Sequence, residues 1–357
     1  MKKTLTLLLS AVLLISCLVV LSACGNVPVE TDPIPPETEG ITEPSESESL
    51  PSFDPDLKIN VSVLNGTTGF GAAKLMKDTA NKKAALSYNF KVETDASVIN
   101  AGLINGTVDI AALPTNAASV LYNKTQGGVK VIALNTLGVL YVVENGNTVS
   151  SLSDLAGKTV YCPAQNPEFI VRAICALGNV ENVNIDTTYA QPAALLSTVA
   201  TSSEGMIAVL PEPLLTVAMN KNNSLRIAVD LTEEWEKAKE NTTLVQGCIV
   251  VRTAFLEEHP AEVAKFMEEY KASIEFTTEN TNEAAKMIVD LGIYANPSLT
   301  VEQCVAIAES ALPKCNIAYI DGENMKVALS AFLEAMHGIN PASVGGALPA
   351  DDFYYQK

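Results

Sequence analysis

The chain is poor in the side chains on which many enzymes and nucleic-acid-binding proteins depend. Its 357 residues include three arginines and two histidines, and the formal net charge is −18. No Lys/Arg surplus is available to neutralise phosphates, so nucleic acid is not expected as a partner. His259 and His337 leave little material for a histidine-based metal or catalytic centre. These shortages favour binding over chemistry, with no metal and no cofactor.

Residues 1–23 have the pattern of a lipoprotein signal peptide. Two lysines precede an apolar run, which ends in Leu21-Ser22-Ala23-Cys24. A positive start, an apolar centre and small residues before a cleavage point are typical of secretory signals. The ending resembles a bacterial lipobox, which implies cleavage before Cys24 and a diacylglycerol on its sulfur, as a membrane anchor. The alternative is an uncleaved spanning helix, because the run approaches the ~20 residues that spanning needs.

Residues 24–56 follow as an acidic, proline-rich segment. From Gly25 to Asp56 the chain has 7 prolines, 9 acidic residues and no basic residue. Such a stretch buries too little apolar surface to offset its ordering entropy, so it is expected to be a disordered, extended tether. Loss of the two signal lysines takes the charge from −18 to −20, and the tether holds −9 of it. The remaining −11 is a moderate acidity that requires no special partner.

From Leu57 onward, strand-like and helix-like segments alternate. Lys58–Leu64 is rich in β-branched residues and predicts a strand, Asn65–Gly71 a glycine-rich turn, and Ala72–Lys83 a helix. Further strands are predicted at 89–94, 108–113, 130–135, 138–143, 158–162, 184–189, 206–210, 225–229 and 245–252. Helices are predicted near 97–105, 116–124, 167–177, 192–202 and 212–220, and then through a helical tail. The alternation indicates an α/β fold with mostly parallel, doubly covered sheets in two blocks.

Open α/β sheets bind ligands beyond the carboxyl ends of their strands, where helix N-termini also collect. Three first-block loops therefore carry candidate ligand contacts, or else turns and helix caps. They contain Gly66, Thr67, Thr68, Gly69, Pro114, Thr115, Asn116, Thr136 and Leu137. In the second block Glu168, Pro211 and Glu212 are candidates, since a proline and a glutamate recur there at predicted helix starts. The alternative for the glutamates is that they complement the helix dipole.

These loops contain no known catalytic or nucleotide-binding motif. The glycines at 66, 69 and 71 match neither a P-loop nor a dinucleotide fingerprint, and no G-x-S-x-G occurs. Five cysteines remain after Cys17 leaves with the signal and Cys24 is lipidated, so at least one is unpaired in a monomer. They are interpreted as small buried hydrophobes, with a Cys304–Cys315 disulfide left open.

Five segments together resemble the lipoprotein solute-binding components of ABC importers of the nitrate/sulfonate/bicarbonate (taurine-type) class. The resemblance covers essentially Leu57 to Tyr355 and is carried by Leu64–Ala72, Val108–Ala117, Asn135–Tyr141, Leu210–Leu214 and Val344–Tyr355. It implies a type II periplasmic-binding-protein fold, with two α/β lobes joined by two crossing strands. The same twelve loop residues match the positions that contact the solute in this family.

The resemblance also implies an organisation and a mechanism. Residues 57–143 with 247–357 would form one lobe and 144–246 the other, with Tyr141 and Val245 near the crossings. The lobes of a monomer would close around a small solute and dock on ABC permease subunits outside the cytoplasm. The rival readings are a solute-sensing surface receptor and an enzyme of the thiamine-pyrimidine-synthesis type, which the lipobox opposes.

The solute class stays open between an oxyanion, a zwitterion and a neutral compound. An arginine fork is the usual clamp for oxyanions, and Arg172 is the one arginine near a candidate loop, inside a predicted helix. The chain also departs from the family at Cys162–Pro167, where relatives have a longer glycine-rich turn. Because this segment belongs to the second lobe, the solute contacts from that lobe are expected to differ from those of the family.

Overall fold

The computed structural model describes residues 53–54, 56–202 and 205–356. The predicted signal peptide, the anchor at Cys24 and nearly all of the tether lie outside these residues. In the described part of the chain, no helix is both long enough and apolar enough to cross a membrane.

Eleven strands occur in the described residues. In chain order they are β1 (Lys58–Leu64), β2 (Ser87–Glu93), β3 (Ile110–Pro114), β4 (Val129–Leu137), β5 (Leu140–Asn145), β6 (Thr159–Tyr161), β7 (Asn184–Asp186), β8 (Ile207–Pro211), β9 (Leu225–Asp230), β10 (Val245–Arg252) and β11 (Ile317–Ile320). They form a six-stranded sheet, in the order β11-β4-β10-β3-β1-β2, and a five-stranded sheet, in the order β7-β6-β8-β5-β9.

Thirteen α-helices connect and cover these strands within the described ranges. They are α1 (Thr67–Phe70), α2 (Ala73–Ala80), α3 (Ala96–Asn105), α4 (Thr115–Thr125), α5 (Asn166–Leu177), α6 (Pro192–Val199), α7 (Leu214–Lys221), α8 (Leu231–Ala238), α9 (Thr253–Glu258), α10 (Pro260–Glu279), α11 (Thr281–Asp290), α12 (Val301–Ala311) and α13 (Gly322–Ile339). Short 3-10 turns occur at Leu152–Leu155, Leu312–Lys314, Pro341–Val344 and Asp351–Phe353.

The first sheet is buried on both faces, as the apolar runs of its strands predict. In β3, Ile110 and Ala112 belong to one apolar core, and Ala111 and Leu113 belong to the other. This alternation follows from the period of two along a strand. Each core also contains side chains of the five-stranded sheet, for example Leu210 in the first. The two sheets therefore share both apolar cores.

The prediction of mostly parallel sheets is wrong. β1 is parallel to β2 and β3, but β10 is antiparallel to β3 and to β4. In the second sheet β6 is parallel to β7 and β8, whereas β5 is antiparallel to β8 and β9. The reason is that β5 and β10 each enter their sheet at the crossing, where the neighbouring strands β8 and β4 end, so they run in the opposite direction to those neighbours.

Besides the one-turn helix α1, which lies within the predicted glycine-rich turn, a strand and a helix are absent from the sequence prediction. One is β11, a four-residue edge strand whose Ile317 pairs with Thr136. The other is α8, which begins after Asp230, whose carboxylate accepts hydrogen bonds from the amides of Thr232 and Glu233. An aspartate followed by two glutamates is a helix-start signal, so the sequence contained the information for α8.

All five described cysteines are free and buried. The Cys304–Cys315 disulfide that the sequence left open is therefore not formed. Burial raises the pKa of Cys248 and of Cys162 above the usual thiol range, so both thiols stay protonated. These cysteines serve as small apolar side chains, in agreement with the interpretation from sequence.

Candidate functional site

Three loops of the first sheet meet at the edge from which the chain crosses to the second sheet. Gly247 of β10 pairs with Pro114 on one side and with Thr136 on the other. A Cβ at Gly247 would lie 2.6 Å from Asn135 Oδ1 and 2.9 Å from Thr136 Cβ. Glycine is therefore required for this close approach, which brings the ends of β3 and β4 together.

The loop after β1 is fastened to the same edge. The amide of Gly66, whose φ is +104°, donates to Ile293 O at 2.8 Å. Asn135 Nδ2 donates to Thr68 O at 2.8 Å. Gly69 is buried, and a Cβ there would overlap Leu64 O and lie 2.8 Å from Ile293 Cγ2. The glycine-rich segment Asn65–Gly71 therefore consists of a tight turn followed by the one-turn helix α1, which contains Gly69.

Most of the candidate side chains on this edge already have protein partners. The buried Thr115 donates its hydroxyl to Val245 O at 3.1 Å. The half-buried Asn116 donates to Ser343 O at 3.4 Å, close to the limit for a hydrogen bond. The buried Thr136 hydroxyl lies 3.2 Å from Asn135 Oδ1. Thr115 and Thr136 thus organise the edge, and Asn116 is the most weakly held of the three.

The first crossing runs through Gly138. Leu137 is half-buried at the end of β4, and its amide donates to Asn316 O at 3.0 Å. Asn316 Nδ2 donates in turn to Gly138 O at 2.6 Å. The amide of Val139 donates to Gln246 Oε1 at 2.6 Å, which links the first crossing to the second one at the start of β10. Both passages between the sheets are therefore hydrogen-bonded to each other.

The second sheet contributes Pro211 and Glu212 beside this crossing. Pro211 pairs with Leu140, and the Glu212 amide donates to Val139 O at 3.0 Å. The Glu212 carboxylate is buried and accepts the Thr216 hydroxyl at 2.9 Å and the Thr216 amide at 3.2 Å. Burial raises the pKa of Glu212, although the nearby ammonium of Lys314 and the Thr216 bonds oppose that rise.

Glu168 stands apart from the other eleven candidates. It lies in the first turn of α5, beyond the end of β6. Within the described residues, its hydrogen bond and its ion pair are both with Arg172, at 3.0 and 2.9 Å. The structure thus gathers eleven of the twelve candidates around the crossing and places Glu168 along the second-sheet edge, on a separate helix.

Residues of the C-terminal third complete the surroundings of the crossing. Lys314 Nζ lies 3.5 Å from Glu212 Oε1, and Lys314 O accepts the Tyr141 hydroxyl at 2.8 Å. Burial raises the pKa of Tyr294 to about 12, and the charge of Glu212 adds to that rise. No sequence motif indicates that Lys314 or Tyr294 belongs to the site. Both residues lie in the helical tail, and only the fold brings that tail to the second sheet.

A cleft lies elsewhere and contains none of the twelve candidates. It has a volume of about 700 Å³ and is lined by Arg252, Gly127 and Ile104, among others. It opens at the opposite end of the first sheet, where Arg252 is already bound to Asp109. Ligand sites combine a concave surface with a few converging polar groups, and the crossing edge brings such groups together, so it is the better candidate. The described residues contain no group of three or more side chains suited to holding a metal.

Comparisons with known proteins agree with this architecture. A protein described as an ABC transporter from Parabacteroides distasonis is 24% identical over 85% of this chain and 100% of that chain, with a TM-score of 0.69. The periplasmic aliphatic sulphonate binding protein SsuA from Escherichia coli is 10% identical over 84% of this chain and 92% of that chain, with a TM-score of 0.63. A Candida albicans protein that exhibits the generic periplasmic binding protein fold is 12% identical over 83% of this chain and 93% of that chain, with a TM-score of 0.50.

These likenesses confirm the periplasmic-binding-protein fold that the sequence resemblance implied. A search of curated proteins found no significant match. Residues 82–284 match the profile described as NMT1/THI5 like. Because that stretch is more than half of the chain, the protein belongs to the NMT1/THI5-like family.

Proposed function

We propose that this protein is an extracytoplasmic substrate-binding lipoprotein, which captures a small solute between two lobes and delivers it to an ABC permease. The lobes would be residues 57–143 with 247–357, and residues 144–246. The sheet membership of β5 suggests moving the first boundary back to Gly138. Hinge closure about the two hydrogen-bonded crossings would enclose the solute.

The observation that carries this proposal is the meeting of both sheets' polar edges at one crossing. Pro114 and Thr136 flank Gly247 on the first sheet, and Pro211 with Glu212 adjoins Val139 at the start of the second. Such an arrangement puts polar groups from both sheets beside the carboxyl ends of their strands, where open α/β sheets bind ligands. Neighbours of the same fold that are described as ABC transporter and sulphonate-binding proteins support solute import.

Binding without catalysis is part of the proposal. The His259 ring packs against Phe255 in a tilted arrangement, with ring centroids 4.9 Å apart, and His337 lies near the end of α13. Neither histidine has a described contact with the twelve candidates. An acid–base reaction at the crossing would need a group with a catalytic partner within hydrogen-bond reach. Glu212 instead has Thr216 and Lys314 as partners.

Mass spectrometry of solute released from protein purified without refolding tests capture directly. The released compound, added back to stripped protein, should give a smaller radius of gyration in X-ray scattering. An unchanged scattering profile would contradict lobe closure. Delivery is tested separately: deletion of the permease genes should abolish uptake of the compound, and unchanged uptake would favour a receptor that senses without transport.

A further inference from the structure

Three second-sheet helices have a carboxylate of the protein at their start, and two of these carboxylates accept hydrogen bonds from helix amides. These helices, α5, α7 and α8, follow β6, β8 and β9, whose carboxyl ends point to the crossing edge. Free amides at such positions are the usual anion-binding groups of α/β proteins. Here Glu168 lies in the first turn of α5, and Asp230 accepts hydrogen bonds from the amides of Thr232 and Glu233.

Glu212 occupies the start of α7 in the same way. Its Oε2 accepts the Thr216 amide at 3.2 Å, and its side chain is fully buried. Pro213 at the N-cap of α7 and Pro167 in the first turn of α5 remove further backbone donors. An incoming anion would therefore meet carboxylates at positions where related architectures present free N–H groups.

The cations that would normally bind an oxyanion are also engaged. Arg226 pairs with the buried Glu144 and donates to Gly146 O at 2.8 Å, at the end of β5 away from the crossing. Arg252 is 3.0 Å from Asp109, at the opposite end of β3 from Pro114. Both arginine forks are too far along their strands to reach the crossing edge.

The two cations nearest the candidate residues are each neutralised by a carboxylate. Arg172 pairs with Glu168 at 2.9 Å, and Lys314 lies 3.5 Å from Glu212. Lys314 also donates to Ser310 O at 2.8 Å. Asp230 adds a third carboxylate, and Lys237, a cation that acts on it, also pairs with Glu233 and Glu234, so the group carries a net negative charge. Like-charge juxtaposition strongly disfavours a partner.

We infer that the second-sheet side of this edge rejects anions and that the solute of this protein carries no net negative charge. The inference rests on the proposed solute-binding function and narrows the solute to a neutral, zwitterionic or cationic compound. By this inference the solute of this chain differs in charge from the aliphatic sulphonates that SsuA of Escherichia coli is described as binding. The carboxylates at the three helix starts supply the selectivity.

The net charge of the captured solute at pH 7 is the first test, and an uncharged, zwitterionic or cationic compound is expected. Stripped protein is also titrated with ethanesulfonate, nitrate and sulfate in thermal-shift assays, and no stabilisation is expected. A ligand at 100 times its Kd would raise the Tm by roughly 5 °C in a protein of this size. Capture of a net anion, or such a shift with any of the three probes, overturns the inference.

Charge-removing variants test the mechanism. Glu212→Gln and Asp230→Asn keep hydrogen-bonding oxygens but lose the charge, and each should bind ethanesulfonate at least about tenfold more tightly than the native chain. Asp109→Asn, which frees Arg252 at the far end of the sheet, is the matched control and should bind it no better. Unchanged affinity in both edge variants overturns the carboxylate mechanism.

The outcomes also separate this inference from the proposed function. A captured anion leaves solute binding intact and removes only the inference. Absence of any captured solute, together with scattering that no compound changes, removes solute binding and the inference with it.

Discussion

The ammonium of Lys314 lies 3.5 Å from the buried carboxylate of Glu212. This contact joins the C-terminal third of the chain to the second sheet, and the Tyr141 hydroxyl reinforces it by donating to Lys314 O at 2.8 Å. Removal of one partner of a buried ion pair strongly destabilises a protein, because the other charge stays buried and unpaired. Movement of the two sheets about the crossing would therefore act directly on this pair.

The pH dependence of stability should reveal the buried Glu212. Burial raises its pKa above the usual range of a glutamate, so the native state binds this proton more tightly than the unfolded state. The resulting stabilisation is fully present below the pKa of an unfolded glutamate, about 4.3, and is lost as the pH rises through the native pKa. Native protein should therefore lose stability relative to Glu212→Gln as the pH rises through the native pKa of Glu212. Urea unfolding followed by circular dichroism measures this difference, and parallel pH profiles would contradict it.

Replacement of Arg226 by methionine should destabilise the second sheet. Burial alone would raise the pKa of Glu144, but bonds from Thr148 and Val149 together with Arg226 hold it below its usual value. Loss of the cation leaves a buried carboxylate without its partner, at a cost on the order of 3 kcal/mol in the free energy of unfolding. Lys237→Met, at an exposed pair on α8, is the matched control and should change unfolding little. Equal effects of the two variants would show that burial of Glu144 is not decisive.

Gly69→Ala should destabilise the protein and disturb the candidate site. The new Cβ would overlap Leu64 O and crowd Ile293 Cγ2, and overpacking of this kind costs about 1–3 kcal/mol. Gly338→Ala is the control, because no atom lies within 4 Å of its Cβ position in α13. The control should be neutral or stabilising by up to about 1 kcal/mol through helix propensity. Chemical denaturation of both variants checks this, and similar midpoints would refute the packing argument.

Substitutions of Thr115 and Asn116 should have different effects, one on stability and the other on solute binding. Thr115→Val removes a buried hydroxyl bonded to Val245 O and should cost about 1–2 kcal/mol in the unliganded protein. Asn116→Ala loses only a weak contact with Ser343 O, so the unliganded melting temperature should hold while stabilisation by the captured solute disappears. Thermal shifts with and without that solute measure both effects. Retained solute stabilisation in Asn116→Ala would exclude Asn116 as a contact.

Cys24→Ser should release the protein from membranes. The lipobox interpretation places a diacylglycerol on the sulfur of Cys24, which serine cannot carry. Fractionation of cells expressing the native chain and the variant gives the measurement, with Cys17→Ser as the control that should stay membrane-bound. Membrane retention of Cys24→Ser would refute the anchor.

Prediction from the sequence succeeded where the pattern is local. The predicted bounds of β10, Val245–Arg252, agree with the structure. The predicted first residues of α3 and α4 differ by one residue from the observed ones, Ala96 and Thr115. Strand direction was wrong, because nothing local in β10 shows that it returns beside β3 as an antiparallel strand. The edge strand β11 was missed because four residues carry too little periodicity.

The candidate site divides in the same way. Loops that follow strands were identifiable, since strand ends define an edge, and eleven of the twelve residues gather at one crossing. Their partners were not identifiable. Whether the Thr115 hydroxyl faces a solute or Val245 O depends on a strand more than a hundred residues away.

By itself, the amino-acid sequence determined the α/β alternation, the candidate loops and the scarcity of arginine, because each depends on composition or short-range spacing. Only the tertiary structure decided that Glu212 would be buried beside Lys314, and that Glu168, Glu212 and Asp230 would occupy three helix starts on one edge. Burial and charge pairing depend on which distant segments share the edge of a sheet, and that is a property of the packed fold.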